Sequence, residues 1–389
     1  MFRIGKEEAD AVTRVIMSGS MFRSGSQYSE VEKFEKEFRE KMGVNHCLCM
    51  TNGTSAIATG LASLGVGPGD EVIVPGYTFI ATATAVLMVG AIPVIADIDE
   101  TLTIDVDDVE RKLSAKTKAV IPVHMQGIPC NMGRLTELTK KHGFYIVEDT
   151  CQADGGSYKG KRLGTIGDCG AYSFNQFKII SAGEGGAFVT NDIKLFERAI
   201  IYHDCGCPFW PYETPISERL FSGGNMRISE ITGAIMRVQL GRLDGILTDL
   251  RRVRKTIADA VQNISGIKIN PSNDTDGDCG VCLPFIFDDV ETAIKFEENL
   301  PGSHRPINTG KHVYSWWTPV LEKRGGHSDN ANPYNNTNNR GLNMEFKENS
   351  CPKTLDILSR TVYMMLHCDW DKKVIDEQIN NIKNAAKSL

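Results

Sequence analysis

Tyr145-Ile146-Val147-Glu148-Asp149-Thr150-Cys151-Gln152 and, further on, Ala171-Tyr172-Ser173-Phe174 leading to Lys178 and Gly183-Glu184-Gly185-Gly186 are the two stretches on which the reading turns. The first is an apolar run that ends on an acidic side chain. The second sets a lysine between two strand-like runs, Ala171–Phe174 and Ala187–Thr190, with a glycine turn behind it. A lysine so placed suits an aldehyde cofactor. Pyridoxal 5'-phosphate (PLP) needs a lysine amine for its Schiff base and a carboxylate that keeps its pyridine nitrogen protonated. Lys178 and Asp149 are the candidate catalytic pair.

The same rhythm extends outward. Short apolar runs at Cys47–Met50, Val72–Val74, Pro93–Ala96 and Ala119–Pro122 precede Tyr145–Val147, with helix-length segments between them. Such alternation predicts strand-helix-strand units around a mostly parallel, buried sheet. Lys6 to Met42 is charged and helix-like, with Phe34 and Phe38 one helical turn apart. After Ile228 a long helical pattern runs towards Val261, followed by a strand-like run at Val281–Phe287, a helix from Glu291 to Leu300 and a closing helix from Asp371 to Lys387. Gly325 to Asn339, rich in Gly, Asn and Ser, reads as a surface loop. The division expected is a large cofactor domain over residues 1–245 and a small C-terminal domain over 246–389.

Composition narrows the function. With 389 residues and 41% hydrophobic content the chain can bury a sizeable core. A net charge of -6 disfavours nucleic-acid and anionic-membrane surfaces. No apolar stretch approaches a membrane span, and Met1-Phe2-Arg3 does not open a signal-like segment. The 11 cysteines are scattered singly and read as reduced thiols of a cytoplasmic protein. The close pairs Cys47/Cys49, Cys205/Cys207 and Cys279/Cys282 lack partners at zinc-ribbon spacing, so no metal is expected.

Several segments could serve the cofactor. Asn52-Gly53-Thr54-Ser55-Ala56 follows a strand and opens a helix, which makes an anion site or an ordinary cap. Gln152 would share a face with Asp149 if a helix starts there. The Gly183–Gly186 turn lacks the Gly-Lys-Ser/Thr of a nucleotide loop and reads as a close backbone approach to the cofactor. Phe79 is a core aromatic or a ring stacked on the pyridine. His203-Asp204-Cys205-Gly206-Cys207 matches no metal spacing and reads as structural. Lys311-His312-Val313-Tyr314-Ser315-Trp316-Trp317 is aromatic-dense, a core segment or the lining of an acceptor pocket or subunit interface.

From about Ser24 to the closing helix the chain resembles the DegT/DnrJ/EryC1/StrS family of sugar aminotransferases. The resemblance is carried by Asn52–Ala56, Gly69-Asp70-Glu71-Val72-Ile73-Val74-Pro75, Glu148-Asp149 with Gln152, Gly167-Asp168, Ser173-Phe174, Lys178 with Gly183–Gly186, and Gly224-Asn225-Met226-Arg227-Ile228-Ser229-Glu230. It implies an α/β, fold-type I PLP-dependent transferase with a mostly parallel seven-stranded sheet in the large domain and a smaller α/β C-terminal domain. It also implies roles. Lys178 forms the internal aldimine, Asp149 pairs with the pyridine nitrogen, and Gln152 sits beside the phenolic oxygen. Gly53, Thr54, Ser55 and Ser173 hold the phosphate, joined by Asn225 from the partner of a homodimer, and Phe79 stacks on the ring. Arg227 is expected at an acidic group of a substrate or in a surface salt bridge, and Tyr314 in the acceptor pocket. Glutamate or glutamine is the implied donor and a keto sugar, nucleotide-linked or an octulosonate-type acid, the acceptor. Within the family, Val123-His124-Met125, Ser157-Tyr158-Lys159-Gly160 and Ser359-Arg360-Thr361 are similar to the octulosonate transaminases of lipopolysaccharide biosynthesis. The alternatives are a PLP lyase or dehydratase using Cys205, Cys207 or Cys351, and a non-catalytic PLP-binding regulator. The lysine that dehydratase members replace by histidine is kept here as Lys178.

Overall fold

The computed structural model describes residues 3–23, 29–208, 215–347 and 349–389. Ser24, where the resemblance begins, lies outside the described residues. The charged N-terminal stretch folds as two helices, α1 (Lys6–Ser18) and α2 (Glu30–Met42), closed by Gly19 and Gly43 in left-handed conformation. The alternating region follows as β1 (His46–Met50), α3 (Gly53–Ser63), β2 (Glu71–Pro75), α4 (Ala81–Met88), β3 (Ile92–Ala96), α5 (Val106–Lys112), β4 (Thr117–Val120), α6 (Met132–His142) and β5 (Tyr145–Asp149). A small hairpin, β6 (Ser157–Tyr158) and β7 (Lys161–Arg162), leads into β8 (Cys169–Ser173), β9 (Gly186–Thr190), α7 (Ile193–His203) and the long α8 (Glu230–Val261). The C-terminal part holds β10 (Cys282–Ile286), α9 (Val290–Asn299), β11 (Ser303–His304), α10 (Thr318–Leu321), α11 (Pro352–Ser359), β12 (Thr361–Met365) and α12 (Lys372–Ala386).

The large sheet has seven strands in the order β1-β9-β8-β5-β4-β2-β3. All run parallel except β9, which is antiparallel to both β8 and β1. Every residue of β2, β3, β8 and β9 is buried. Helices cover both faces, which is why these strands read as unbroken apolar runs rather than alternating ones. The small sheet is antiparallel, β10-β12-β11. The long α8 runs unbroken through residue 245, where the sequence suggested a division.

One face of the sheet is clamped by α2. Phe34 and Phe38 lie tilted against each other 5.4 Å apart, Phe38 meets Tyr172 edge-on at 5.0 Å, and Phe34 meets Phe174 at 5.5 Å. The rings on either side of Ser173 are thereby fixed, so β8 enters the lysine loop from a rigid base. No helix begins at Asp149; tight turns follow β5 instead. The Gly325–Asn339 loop is pinned to two turns of the large domain. Its fully buried Asn339 accepts from the Gly69 N–H (2.6 Å) and donates to the Gly90 carbonyl (2.9 Å).

Candidate active site

The carboxyl ends of β1, β5 and β8 lie at one edge of the sheet, where open α/β sheets bind ligands. The cavity there has a volume of about 1240 Å³, and its wall includes Gly53, Thr54, Ser55, Phe79, Asp149, Gln152, Ser173, Lys178 and Arg227. Chain segments far apart in sequence meet in one chamber.

Asp149 is the last residue of β5 and is 4% exposed. Its Oδ2 accepts from Thr82 Oγ1 (2.8 Å), and its Oδ1 accepts from the Cys151 N–H (3.1 Å). Because Thr82 donates to Asp149, the 2.7 Å contact between the Thr82 and Thr78 hydroxyls is donated by Thr78. Two donors fix the carboxylate without neutralising it. Its neighbour Glu148 points to the opposite face of the strand, fully buried. There it accepts from the N–H groups of Gly164 (2.8 Å), Ile166 (2.6 Å) and Gly167 (2.6 Å). His124 stands 3.1 Å from Glu148 through Nε2, and its Nδ1 accepts from the Cys130 N–H (3.1 Å), so Nε2 carries the hydrogen. Alternation along β5 thus assigns one acid to the cavity and the other to the support behind it.

The start of α3 forms a cradle. Asn52 caps the helix, accepting from the Ser55 N–H at 2.8 Å, and Thr51 Oγ1 lies 3.1 Å from Ser55 Oγ. Gly53 is glycine for a steric reason: a Cβ there would stand 2.6 Å from Cys151 Sγ and 2.9 Å from Ser173 Cβ. A Cβ at Gly186 would stand 2.5 Å from the Asn52 carbonyl, so the glycine turn after Lys178 packs on the backbone of the cradle. Backbone N–H groups, the helix dipole and nearby hydroxyls there suit a phosphate.

Lys178 lies on the loop between β8 and β9, its N–H bonded to the Asn175 carbonyl (2.9 Å). Gln152 Oε1 accepts from the N–H of Gln126 (3.1 Å), a residue in left-handed conformation. Phe79 is 40% exposed at the cavity wall, with the His312 ring 5.4 Å away. His312 Nδ1 faces the Thr309 carbonyl at 3.3 Å, which makes Nδ1 the donor and leaves Nε2 as an acceptor. Burial pushes the His312 imidazole below its ordinary range, and the charge of Lys178 pushes the same way.

Arg227 reaches the cavity wall while ion-paired with buried Asp204. Asn225 is exposed and lies outside the lining of this chain's own cavity. Tyr314 also lies outside the lining: it is fully buried and its hydroxyl accepts from the Cys351 N–H (3.0 Å). Cys205, Cys207 and Cys351 are likewise away from the cavity wall, and burial pushes the Cys351 thiol up to about 12. The cysteine at the wall is Cys151, whose thiol is pushed up by burial and then by Asp149. Thr82, Gln126 and His312 complete the site beyond what the sequence assigned. Only His312 stood in a segment already marked, by its aromatic density.

Sheet, lysine loop and strand-end acid define the fold-type I aminotransferase class. The chain belongs to the DegT/DnrJ/EryC1/StrS aminotransferase family, which it matches over residues 3–327. It is 40% identical over 225 residues to the GDP-perosamine synthase of Caulobacter vibrioides, covering 57% of this chain and 59% of that protein, less than two thirds of its length. It is 30% identical over 403 aligned positions to the spore coat polysaccharide biosynthesis protein SpsC of Bacillus subtilis (strain 168), covering 99% of this chain and 95% of that one. The crystal structure of 3-amino-5-hydroxybenzoic acid synthase superposes with a TM-score of 0.80 at 26% identity, covering 100% of this chain and 99% of that one. The family implies PLP, and the glycine-walled cradle fits its phosphate.

Proposed function

We propose that the chain is a PLP-dependent aminotransferase that moves an amino group from glutamate or glutamine to a keto sugar. The observation that carries this reading is the convergence of Lys178, Asp149 and the Gly53 cradle on one cavity. When bound, PLP supplies an aldehyde that takes up the amino group and a ring that delocalises carbanion charge. Asp149, held by Thr82 and the Cys151 N–H, presents the negative charge that keeps the ring nitrogen protonated. Lys178 Nζ takes the proton from the donor's α-carbon and returns one to the acceptor's carbon in the second half-reaction. The Gly53 and Thr54 N–H groups with the Ser55 and Ser173 hydroxyls would hold the phosphate, and Phe79 at the cavity wall would cover the ring. Gln152, also at the wall, would stand beside the phenolic oxygen.

A nucleotide-linked keto sugar is the acceptor favoured, in keeping with a relative named for GDP-perosamine. The segments similar to octulosonate transaminases bear on packing instead: of them only Val123 reaches the cavity wall, and His124 is engaged with Glu148. A homodimer with shared sites accounts for Asn225, which is exposed here and would meet the phosphate of the partner's site. A cytoplasmic location fits the free thiols, and among the described residues no helix is long and apolar enough to cross a membrane.

Glutamate or glutamine added to the PLP-loaded protein should convert the bound cofactor to its pyridoxamine form, read by absorbance. If neither amino donor does so, the aminotransferase reading falls. Mixing inactive Lys178→Ala chains with inactive Asn225→Ala chains should restore activity, because one hybrid site carries neither lesion. Well-mixed heterodimers that recover nothing would exclude shared sites.

A further inference from the structure

Beyond the groups that serve the cofactor, the cavity wall carries two side chains that can only accept hydrogen bonds. The first is Glu184, exposed in the glycine turn behind Lys178. Its backbone is fixed on both sides, by the Gln176 N–H on the Gly183 carbonyl (3.0 Å) and the Phe174 N–H on the Gly185 carbonyl (2.8 Å). Its Oε1 accepts from Asn175 Nδ2 (3.0 Å), and Asn175 is oriented in turn by the Phe177 N–H on its Oδ1 (3.2 Å). The carboxylate is thus anchored by one oxygen, and the other has no partner among the described residues. The second is His312, from the C-terminal part of the chain. Its segment is stitched to the loop after β2: Val313 bridges Tyr77, and the His312 and Lys311 carbonyls accept from the N–H groups of Thr78 and Ile80 (2.9 Å each). With Nδ1 committed to the Thr309 carbonyl, Nε2 holds a lone pair and has no partner among the described residues.

Among the described residues the cations at the wall are Lys178, placed for the cofactor, and Arg227, paired with Asp204. An uncharged sugar ring carries several O–H donors. A carboxylate carries none and would meet Glu184 as a like charge. A site whose polar groups need a substrate hydroxyl rejects an analogue without one, because those groups are then left unpaired. We infer that the acceptor enters as an uncharged, hydroxyl-bearing ring, and that Glu184 and His312 are specificity-determining residues: each accepts from a ring hydroxyl, and together they select against a ring that bears a carboxylate. An octulosonate-type acid is disfavoured on this ground. Arg227 keeps N–H groups beyond its pair with Asp204, so the carboxylate of the smaller amino donor has a partner at the same wall.

The inference rests on the keto-sugar reading above and names the kind of sugar, but its test reads binding without turnover. The full-length chain loaded with pyridoxamine phosphate is titrated by calorimetry with two matched pairs, UDP-glucose against UDP-glucuronate and GDP-mannose against GDP-mannuronate. Within each pair the ligands differ only in a hydroxymethyl against a carboxylate group, so the nucleotide's own contribution cancels. In at least one pair the neutral member should bind at least about tenfold more tightly. Glu184→Gln keeps the shape, removes the charge and supplies an N–H donor, and should narrow that ratio to within about threefold, chiefly by tightening the uronate. His312→Phe keeps a ring beside Phe79 and removes Nε2, and should weaken the neutral member by about fivefold. PLP affinity of Glu184→Gln, followed by absorbance, should stay at the wild-type value, because the residue stands outside the cradle. Equal affinities within both pairs, tighter binding of the uronates, no binding in either pair, or an unchanged ratio in Glu184→Gln would each overturn the proposal, as would a loss of PLP affinity in that variant. Conversion of the cofactor by glutamate is measured separately: a chain that is converted but prefers the uronates loses this inference alone, and one that is not converted but prefers the neutral sugars loses only the aminotransferase reading.

Discussion

Gly53→Ala asks how tightly the cradle is built. The residue is the first of α3, and its backbone is one that alanine can adopt, so helix propensity alone would favour the change by about 1 kcal/mol. Space decides against it. The new methyl would stand 2.6 Å from Cys151 Sγ and 2.9 Å from Ser173 Cβ, closer than non-bonded carbon and sulfur atoms can lie. One neighbour is a short side chain and the other belongs to a central strand, so neither can swing away. Overpacking of this kind costs about 1–3 kcal/mol, which cancels or exceeds the propensity gain. The displacement also falls on the two groups that shape the anion site, Ser173 and the start of α3. PLP affinity, followed by absorbance titration, should drop at least about tenfold, roughly 1.4 kcal/mol. Adding Cys151→Ala removes the sulfur and leaves the 2.9 Å contact, so the double variant should recover part of the loss but not all. A Gly53→Ala protein that binds PLP as tightly as wild type would refute the cradle as the phosphate site.

Asp149→Asn keeps the Cys151 N–H bond and removes the charge facing the ring nitrogen; kcat should fall at least about a hundredfold, roughly 2.7 kcal/mol, and a variant near the wild-type rate would assign that work to another group. Glu230, buried at the start of α8, has its carboxyl raised to about 7, by burial first and then by Glu30 and Glu32. A raised acid stabilises the fold fully below its unfolded range and loses that contribution as pH rises through about 7. Glu230→Gln should therefore gain on wild type between pH 5 and pH 8 by on the order of 1 kcal/mol in denaturant titrations, and a constant gap across that range would refute the assignment.

What the sequence made legible follows from how each feature is encoded. The strands of the large sheet are buried on both faces, so each reads as an apolar run whatever its neighbours. Lys178 and Asp149 are visible because ionisable side chains are unusual beside such runs. Thr82 was not visible: within Ala81-Thr82-Ala83-Thr84-Ala85 it is one small residue of an apolar helix, and its partner Asp149 lies 67 residues away. The surface loop at Gly325–Asn339 has the composition of solvent-facing chain, yet its buried Asn339 joins two turns of the large domain, a long-range contact that composition does not register. Tyr314 shows the reverse error of scale. An aromatic-dense segment contains both core and lining residues, and only the fold assigns His312 to the cavity and Tyr314 to the interior.

The division of the site between rigid and looser parts matches what each group must do. Asp149, Ser173 and the start of α3 are attached to strand ends, where Phe34, Phe38, Tyr172 and Phe174 lock the sheet. In the proposed reaction a charge that stays opposite one ring atom, and a cradle that keeps one anion through a complete cycle, would gain from being immobile, since no reorganisation is then needed as charge develops. Lys178 has the opposite requirement. In the proposed reaction its amine would hold the cofactor, release it and then carry protons between two carbons, and it lies on a loop whose ends are fixed by β8 and β9 and which lines the cavity.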